Sequence, residues 1–398
     1  MNGRPHPPVH GVYLDACATT PPAAEVLAAM AAVQAEAWAN PSSLHGYGLA
    51  AAEALERARW RCAARLGCRP EELVFTSGGS EAIHLALLGA AASLPPGRLL
   101  ISAVEHPATV AAADALQRRG WQLRRLPVNR DGLLDLEALE RWLEPPTRLV
   151  SVIWGQSEVG SVQPLELIGA LCRRAGVLLH VDAVQVVGHR PLSFKALPVD
   201  LLSLAAHKLQ GPRGIGALLV RSGVTLVPQI GGGGQEGGRR SGTEPVALAA
   251  GLARALELAA ERLDRHAGHD PLQALRDTAL ESLSAVPGLR LSGPDPRLTP
   301  SARLPHHLSL LVSTPDGVPL PGRLLVRALW QEGYALSSGS ACSSGGSTAS
   351  PVLRAMGHDE AEAASGLRLG FGPWLERGDL AALPEALERA RQRLAAAP

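Results

Sequence analysis

Two nearly continuous apolar runs, Leu178-Leu-His-Val-Asp182 and Asp200-Leu-Leu-Ser-Leu-Ala-Ala-His-Lys208, end in a carboxylate and an amine and are separated by about one helix of sequence. Strands that are apolar at almost every position, rather than at alternate ones, are buried on both faces, which is the habit of parallel sheets covered by helices. Strand and helix patterns alternate from about Leu73 to Val220. That rhythm predicts an α/β fold with a mainly parallel sheet flanked by helices. Ligands of such sheets sit beyond the carboxyl ends of the strands, where Asp182 and Lys208 are expected to point.

The rest of the chain predicts a second, smaller unit. A long apolar helix pattern covers Glu244 to Leu263, and Ser292-Gly-Pro-Asp-Pro then breaks the rhythm. Beyond it come a strand-like run at Leu308 to Ser313, a helix near Leu320 to Trp330, a strand around Arg368 and a C-terminal helix. These elements read as a small α+β domain with the N-terminal segment packed on it. The predicted boundaries are 21–260 for the large domain and 1–20 with 261–398 for the small one.

Lysine with a nearby acid is the pair that pyridoxal 5′-phosphate (PLP) requires: an amine to hold its aldehyde, and a carboxylate to keep its pyridine nitrogen protonated. Three further features bear on that reading. Glu72-Leu-Val-Phe-Thr-Ser-Gly-Gly-Ser80 is a strand, a glycine turn and then a helix, so Gly79 and Ser80 would offer free amides to a phosphate. Glu105-His106-Pro107 places a histidine at a strand end, able to stack on a flat ring. Cys342 lies in Leu336-Ser-Ser-Gly-Ser-Ala-Cys-Ser-Ser-Gly-Gly-Ser, a run of small residues expected to form a mobile loop (about 336–348) carrying one thiol. Taken singly, each also fits a plainer reading: a solvated lysine, a capped helix, a structural histidine, a surface loop.

Composition narrows the class. A formal charge of +1 over 398 residues, with no basic cluster, argues against nucleic acid as the main partner. No stretch has the length of a membrane span, and Met1 to His10 is polar and proline-rich rather than signal-like, so a cytoplasmic location is expected. The five cysteines, Cys17, Cys62, Cys68, Cys172 and Cys342, have neither C-x-x-C nor metal spacing, which fits reduced thiols.

In order along the chain, Tyr13-Leu-Asp-Ala-Cys-Ala-Thr-Thr-Pro, Asn40-Pro-Ser-Ser-Leu-His45, Phe75-Thr-Ser-Gly, Glu105-His106, Glu158-Val-Gly160, His180-Val-Asp-Ala-Val-Gln185, His207-Lys208, Gly211-Pro-Arg-Gly-Ile-Gly, Gly232 to Thr243 and Ser337-Ser-Gly-Ser-Ala-Cys342 resemble the cysteine desulfurases of the NifS/IscS type. These are class V aminotransferases of the PLP-dependent fold type I. The resemblance spans residues 13 to about 372. It implies a homodimer that takes sulfur from L-cysteine, leaves L-alanine, and passes a persulfide to an acceptor or scaffold protein, as in iron-sulfur cluster assembly.

Residue roles follow from the resemblance position by position. Lys208 would be the Schiff-base lysine and, once freed, the base that removes the α-proton. Asp182 would partner the pyridine nitrogen, Gln185 would donate to the ring hydroxyl and His106 would stack on the ring. Gly79, Ser80 and His207 would hold the phosphate, joined by Thr243 from the second subunit. Arg368, assisted by Asn40, would bind the substrate carboxylate, and Cys342 would accept sulfur. The chain departs from the family where Ala205 replaces a usual serine, Ser157 replaces the asparagine that touches the ring, Gly79-Ser80 replaces Ala-Thr, and Cys17 stands for asparagine or alanine. Weaker or retuned PLP binding is the expected result. Two alternatives stay open: a C–S lyase or aminotransferase on the same scaffold, and a non-catalytic relative with impaired PLP binding.

Overall fold

The computed structural model describes residues 11–339 and 349–395. Seven strands form its main sheet, in the order Leu73–Thr76, Gly216–Val220, Leu201–Ala205, Leu178–Asp182, Thr147–Ile153, Arg98–Ser102 and Gln122–Leu126. Gly216–Val220 runs antiparallel to both neighbours, and every other pairing is parallel. Both faces are covered, as the continuous apolar runs require. Leu100, Val150, Leu179 and Val181 pack with Cys62, Leu66, Ile168 and Leu252 of one helical layer. Leu99, Ile101 and Leu149 face the other side, against Ile83, Leu87, Ala112 and Leu116. The edge strand Gln122–Leu126 carries Arg124 and Arg125, charges that protect an unpaired edge from further pairing.

One expectation needs correction. The link from Leu178–Asp182 to Leu201–Ala205 is as long as a helix but contains none, since residues 183–200 run through turns. Gly188, at φ +87°, and the two prolines Pro191 and Pro198 suit turns and break helical periodicity.

A separate four-stranded antiparallel sheet follows, in the order Ser337–Ser338, Gly366–Gly370, His307–Val312, Leu289–Leu291. Leu280, Leu283, Leu325, Leu329 and Leu387 pack on it from the helices Leu272–Ser284, Gly322–Gln331 and Leu383–Ala395. Leu14 belongs to the same cluster. The segment that carries it adds Val12–Tyr13 in parallel to Tyr334–Ala335 and accepts an amide bond from Gly370 at Leu14 O. It then crosses to the large sheet, where the Thr20 amide and hydroxyl both donate to His207 O, at 2.9 and 2.8 Å.

Candidate active site

The strands that point the same way deliver their carboxyl ends to one rim. Leu73–Thr76 leads to Gly79, Arg98–Ser102 to His106, Thr147–Ile153 to Ser157, Leu178–Asp182 ends on Asp182, and Leu201–Ala205 leads to Lys208. Asp182 is 3 % exposed, with Oδ1 accepting from Val184 N at 3.0 Å. Burial raises its carboxyl above the ordinary range, against the pull of His106 and Lys208. His106 caps the helix Pro107–Arg118 by accepting from Ala108 N, which fixes its ring. Burial lowers it, Asp182 partly restores it, and Lys208 adds to the lowering. The Lys208 amine donates to Cys17 O at 2.6 Å and Ala18 O at 2.7 Å. Acid, imidazole and amine thus share one pocket, close enough for each to feel the others' charge.

The predicted phosphate cup is a helix start. Gly78 precedes the helix Gly79–Ala92 at φ +155°, ψ −175°, a conformation open to glycine, and no side chain caps it. A Cβ on Gly78 would meet no atom within 4 Å, whereas one on Gly79 would lie 2.8 Å from Val184. The turn is therefore tight behind and open in front, with uncommitted first-turn amides. Ser80 is exposed at that turn. Ala205 stands 3.6 Å behind the Gly79 Cβ position, so the missing serine hydroxyl belongs to this cup. His207, lowered to about 4 by burial and then by Lys208 and Arg213, is neutral, and its Nδ1 lies 3.1 Å from Thr19 Oγ1.

Two ion pairs that the sequence did not disclose fix the loop that ends at the exposed Thr243. Arg240 binds Glu81 at 2.8 Å, and the other Glu81 oxygen accepts from Ser77 N at 2.7 Å, within the cup. Glu236 is buried at φ +52°, held by both Arg59 arms, at 2.7 and 2.9 Å, and by Phe75 N at 2.8 Å.

Arg368 comes from the smaller sheet and is 5 % exposed. It already has partners: Asp15 Oδ1 at 2.9 Å and Ser157 O at 3.3 Å. Its Nε has none among the described residues. Ser337 donates to Asp15 Oδ2 at 2.8 Å, and so orients the acid that orients the arginine. Beside them Glu158 is buried, its Oε1 without a partner among the described residues, and pushed up to about 7 by burial, against Ser350 and Arg368. Ser157 thus supplies a carbonyl to Arg368. Asn40 is exposed, and its side chain accepts from Ser42 N, closing its own turn rather than meeting Arg368. Gln185 is buried, donating to Cys17 O at 2.8 Å. Cys342 lies outside the described residues.

The four described cysteines are free thiols. Burial raises all of them, Cys17 to about 11 despite Arg368 and Lys208 nearby. Such thiols are poor nucleophiles at neutral pH.

The set fits PLP by its donors: an amine, a buried acid in want of a cation, a fixed imidazole, and a glycine helix start open in front. When bound, PLP supplies an aldehyde and an electron-accepting ring.

Known proteins resemble this chain over nearly its whole length. The class-V aminotransferase family model matches residues 12–383. A protein named cysteine desulfurase from Cereibacter sphaeroides is 40% identical over 380 residues, 94% of each chain. A solved NifS-like protein superposes with a TM-score of 0.85 at 32% identity, covering 97% of this chain and 99% of its own. A structure described as SspA in complex with cysteine gives 0.78 at 32% identity, covering 91% and 99%.

Proposed function

Because this chain belongs to the class-V aminotransferase family, among relatives that carry the name cysteine desulfurase, we propose that it is a PLP-dependent cysteine desulfurase. It converts L-cysteine to L-alanine, with sulfur taken up by the Cys342 thiol as a persulfide and handed to an acceptor or scaffold protein, as in iron-sulfur cluster assembly. The observation that carries this reading is the convergence of Lys208, Asp182 and His106 on one rim, with Arg368 entering from the second sheet.

Each residue has a part that its surroundings suit. Lys208, aimed by two carbonyls, would hold the cofactor, and its amine would move the proton at the substrate α-carbon. Asp182 places negative charge where a ring nitrogen must stay protonated, and that cation would offset the cost of burying the acid. His106 would cover the ring, and the Gly79–Ala92 helix start, with Ser80 and His207, would hold the phosphate. Ala205 and Ser157 each remove one side-chain donor from this set. Arg368, anchored by Asp15, keeps its Nε edge for the substrate carboxylate. Asn40, closed on its own turn in this chain, would have to open to assist.

The chain is further proposed to be a cytoplasmic homodimer, with the Thr243 loop crossing to the partner. Trp38, Leu44, Tyr47 and Leu49 expose 63%, 92%, 67% and 57% of their surface around one helix start, a grouping of large apolar side chains of the kind that serves as an interaction surface. No helix among the described residues is long and apolar enough to cross a membrane. The two apolar clusters support a large domain over 21–260 and a small one from 1–20 and 261–398.

The test is to incubate the protein with cysteine and measure alanine, pyruvate and protein-bound sulfane sulfur together. Alanine and sulfane sulfur in step, both abolished by Cys342→Ser, are expected. Pyruvate as the main product, or alanine formed by Cys342→Ser at the wild-type rate, would overturn the assignment in favour of a lyase or aminotransferase.

A further inference from the structure

Behind Gln185 a buried chain of polar groups runs from the junction of the two cores to the Lys208 amine. Arg262 donates to Asp270 Oδ2 at 3.2 Å, and His189 Nδ1 lies 2.7 Å from the same oxygen. The His189 ring stacks on His306, with centroids 3.6 Å apart and planes 14° apart. His306 Nε2 lies 3.3 Å from Gln185 Oε1, Gln185 Nε2 donates to Cys17 O at 2.8 Å, and Lys208 donates to that same carbonyl at 2.6 Å. Asp270, His189, His306 and Gln185 are each no more than 6 % exposed.

Chemistry dictates how the two ambiguous groups are oriented. Burial holds His306 well below its ordinary range, helped by the charges around it, so the ring is neutral and carries one N–H. Its Nδ1 has no partner among the described residues. A hydrogen on Nδ1 would be a buried donor without an acceptor, and would leave Nε2 and Gln185 Oε1 facing each other as two acceptors. On Nε2 the hydrogen has Gln185 Oε1 to bind, and that bond turns the glutamine NH2 toward Cys17 O. His189, its Nδ1–H held by Asp270, gives His306 a fixed plane to lie against.

We propose that His306 is a positioning residue: it fixes the orientation of the Gln185 amide, and His189, braced by Asp270 and Arg262, holds His306 in the ring plane and tautomer that do so. The amide NH2 is thereby kept on the Lys208 side of the pocket, where it can also donate to a bound ring. The inference rests on the reading of Gln185 as a cofactor contact. It makes a histidine remote from the reacting atoms a determinant of cofactor affinity.

Full-length apoprotein is titrated with PLP, and the visible absorption of the loaded protein is followed against pH, for wild type, His306→Phe, His306→Gln, Gln185→Ala and the His306→Phe/Gln185→Ala double variant, with thermal midpoints measured alongside. His306→Phe keeps the stack and loses the donor; PLP binding about tenfold weaker is expected, with a displaced pH midpoint of the visible band. His306→Gln, which restores a donor, should recover most of both. In the Gln185→Ala background His306→Phe should add nothing. Wild-type affinity and spectrum in His306→Phe, while Gln185→Ala is impaired, would overturn the positioning role alone; so would full additivity, or weakening that His306→Gln does not repair. An unchanged Gln185→Ala, or a wild type that takes up no PLP, would overturn the underlying reading with it.

Discussion

Asp182 and Arg368 are both buried charges, yet they are stabilised in opposite ways. Asp182 ends a strand of the parallel sheet and accepts a backbone amide, and its nearest opposite charges belong to the groups that do the proposed chemistry. Arg368 lies in the antiparallel sheet with a resident carboxylate, Asp15, itself braced by Ser337. The first site is left poised, and under the proposed function a ligand would supply its missing partner. The second is largely satisfied by the protein and offers only an edge. The difference teaches where substitution will cost activity and where it will cost stability.

The largest effect expected is on the poised side. Lys208→Ala should lower turnover by at least about two to four orders of magnitude, the range for a lost acid–base group. Borohydride reduction of PLP-loaded wild type followed by peptide mapping should label Lys208. A label elsewhere would break the comparison at its root.

On the satisfied side, Asp15→Ala leaves the Arg368 cation buried without its acid. A loss of about 3 kcal/mol is expected, the lower end for breaking a buried pair because Asp15 keeps some solvent contact. Urea denaturation measures it, and a loss under about 1 kcal/mol would show that Asp15 does not support the arginine.

A pH series sharpens the contrast. Glu105 is pushed up to about 8, by burial first, against bonds from Ser102 and Ile153 N and alongside Asp182, while Glu158 is pushed up to about 7. Both folded values lie above the ordinary 4.5, so the folded state binds more protons than the unfolded chain. Their contribution is fully present below pH 4.5 and is lost as pH rises through about 7 and 8, at no more than about 1.4 kcal/mol per pH unit for each group. Glu105→Gln keeps the acceptor oxygen and removes the titration, so its thermal midpoint should decline less than wild type from pH 5 to 8. Parallel curves would rule Glu105 out as the source.

The smallest effect belongs to Arg240→Ala. Its pair with Glu81 is partly exposed, at 19% and 17% of the side chains, and its loss should cost about 1 kcal/mol or less in chemical denaturation. A loss of several kcal/mol would mean that the loop ending at Thr243 is built into the core.

Residues 178–208 show how far sequence reasoning reached. The paired apolar strands, their burial on both faces and the terminal acid and amine were all readable, because burial of a whole strand leaves no polar alternation to read otherwise. The missing helix between them was not, since length alone does not distinguish a helix from a string of turns. The Gly79 helix start was legible through its glycines. The Asp15–Arg368 and Arg59–Glu236 pairs were not, because partners 353 and 177 positions apart leave no local pattern. His306 is one of thirteen histidines, and no local pattern names its partners Gln185 and His189. Its one visible signal was the doublet His306-His307 at the start of an apolar run.

By itself the sequence determined the layers of this protein, the sheet edge at which its chemistry collects, and the glycine turns, because hydrophobic periodicity and backbone sterics act within a few residues. Only the tertiary structure decided which way Gln185 faces, which acid holds Arg368, and that Lys208 is aimed by the Cys17 and Ala18 carbonyls. Hydrogen bonds and ion pairs depend on distance and angle in space, and the chain brings those groups together only when both sheets have closed on the segment between them.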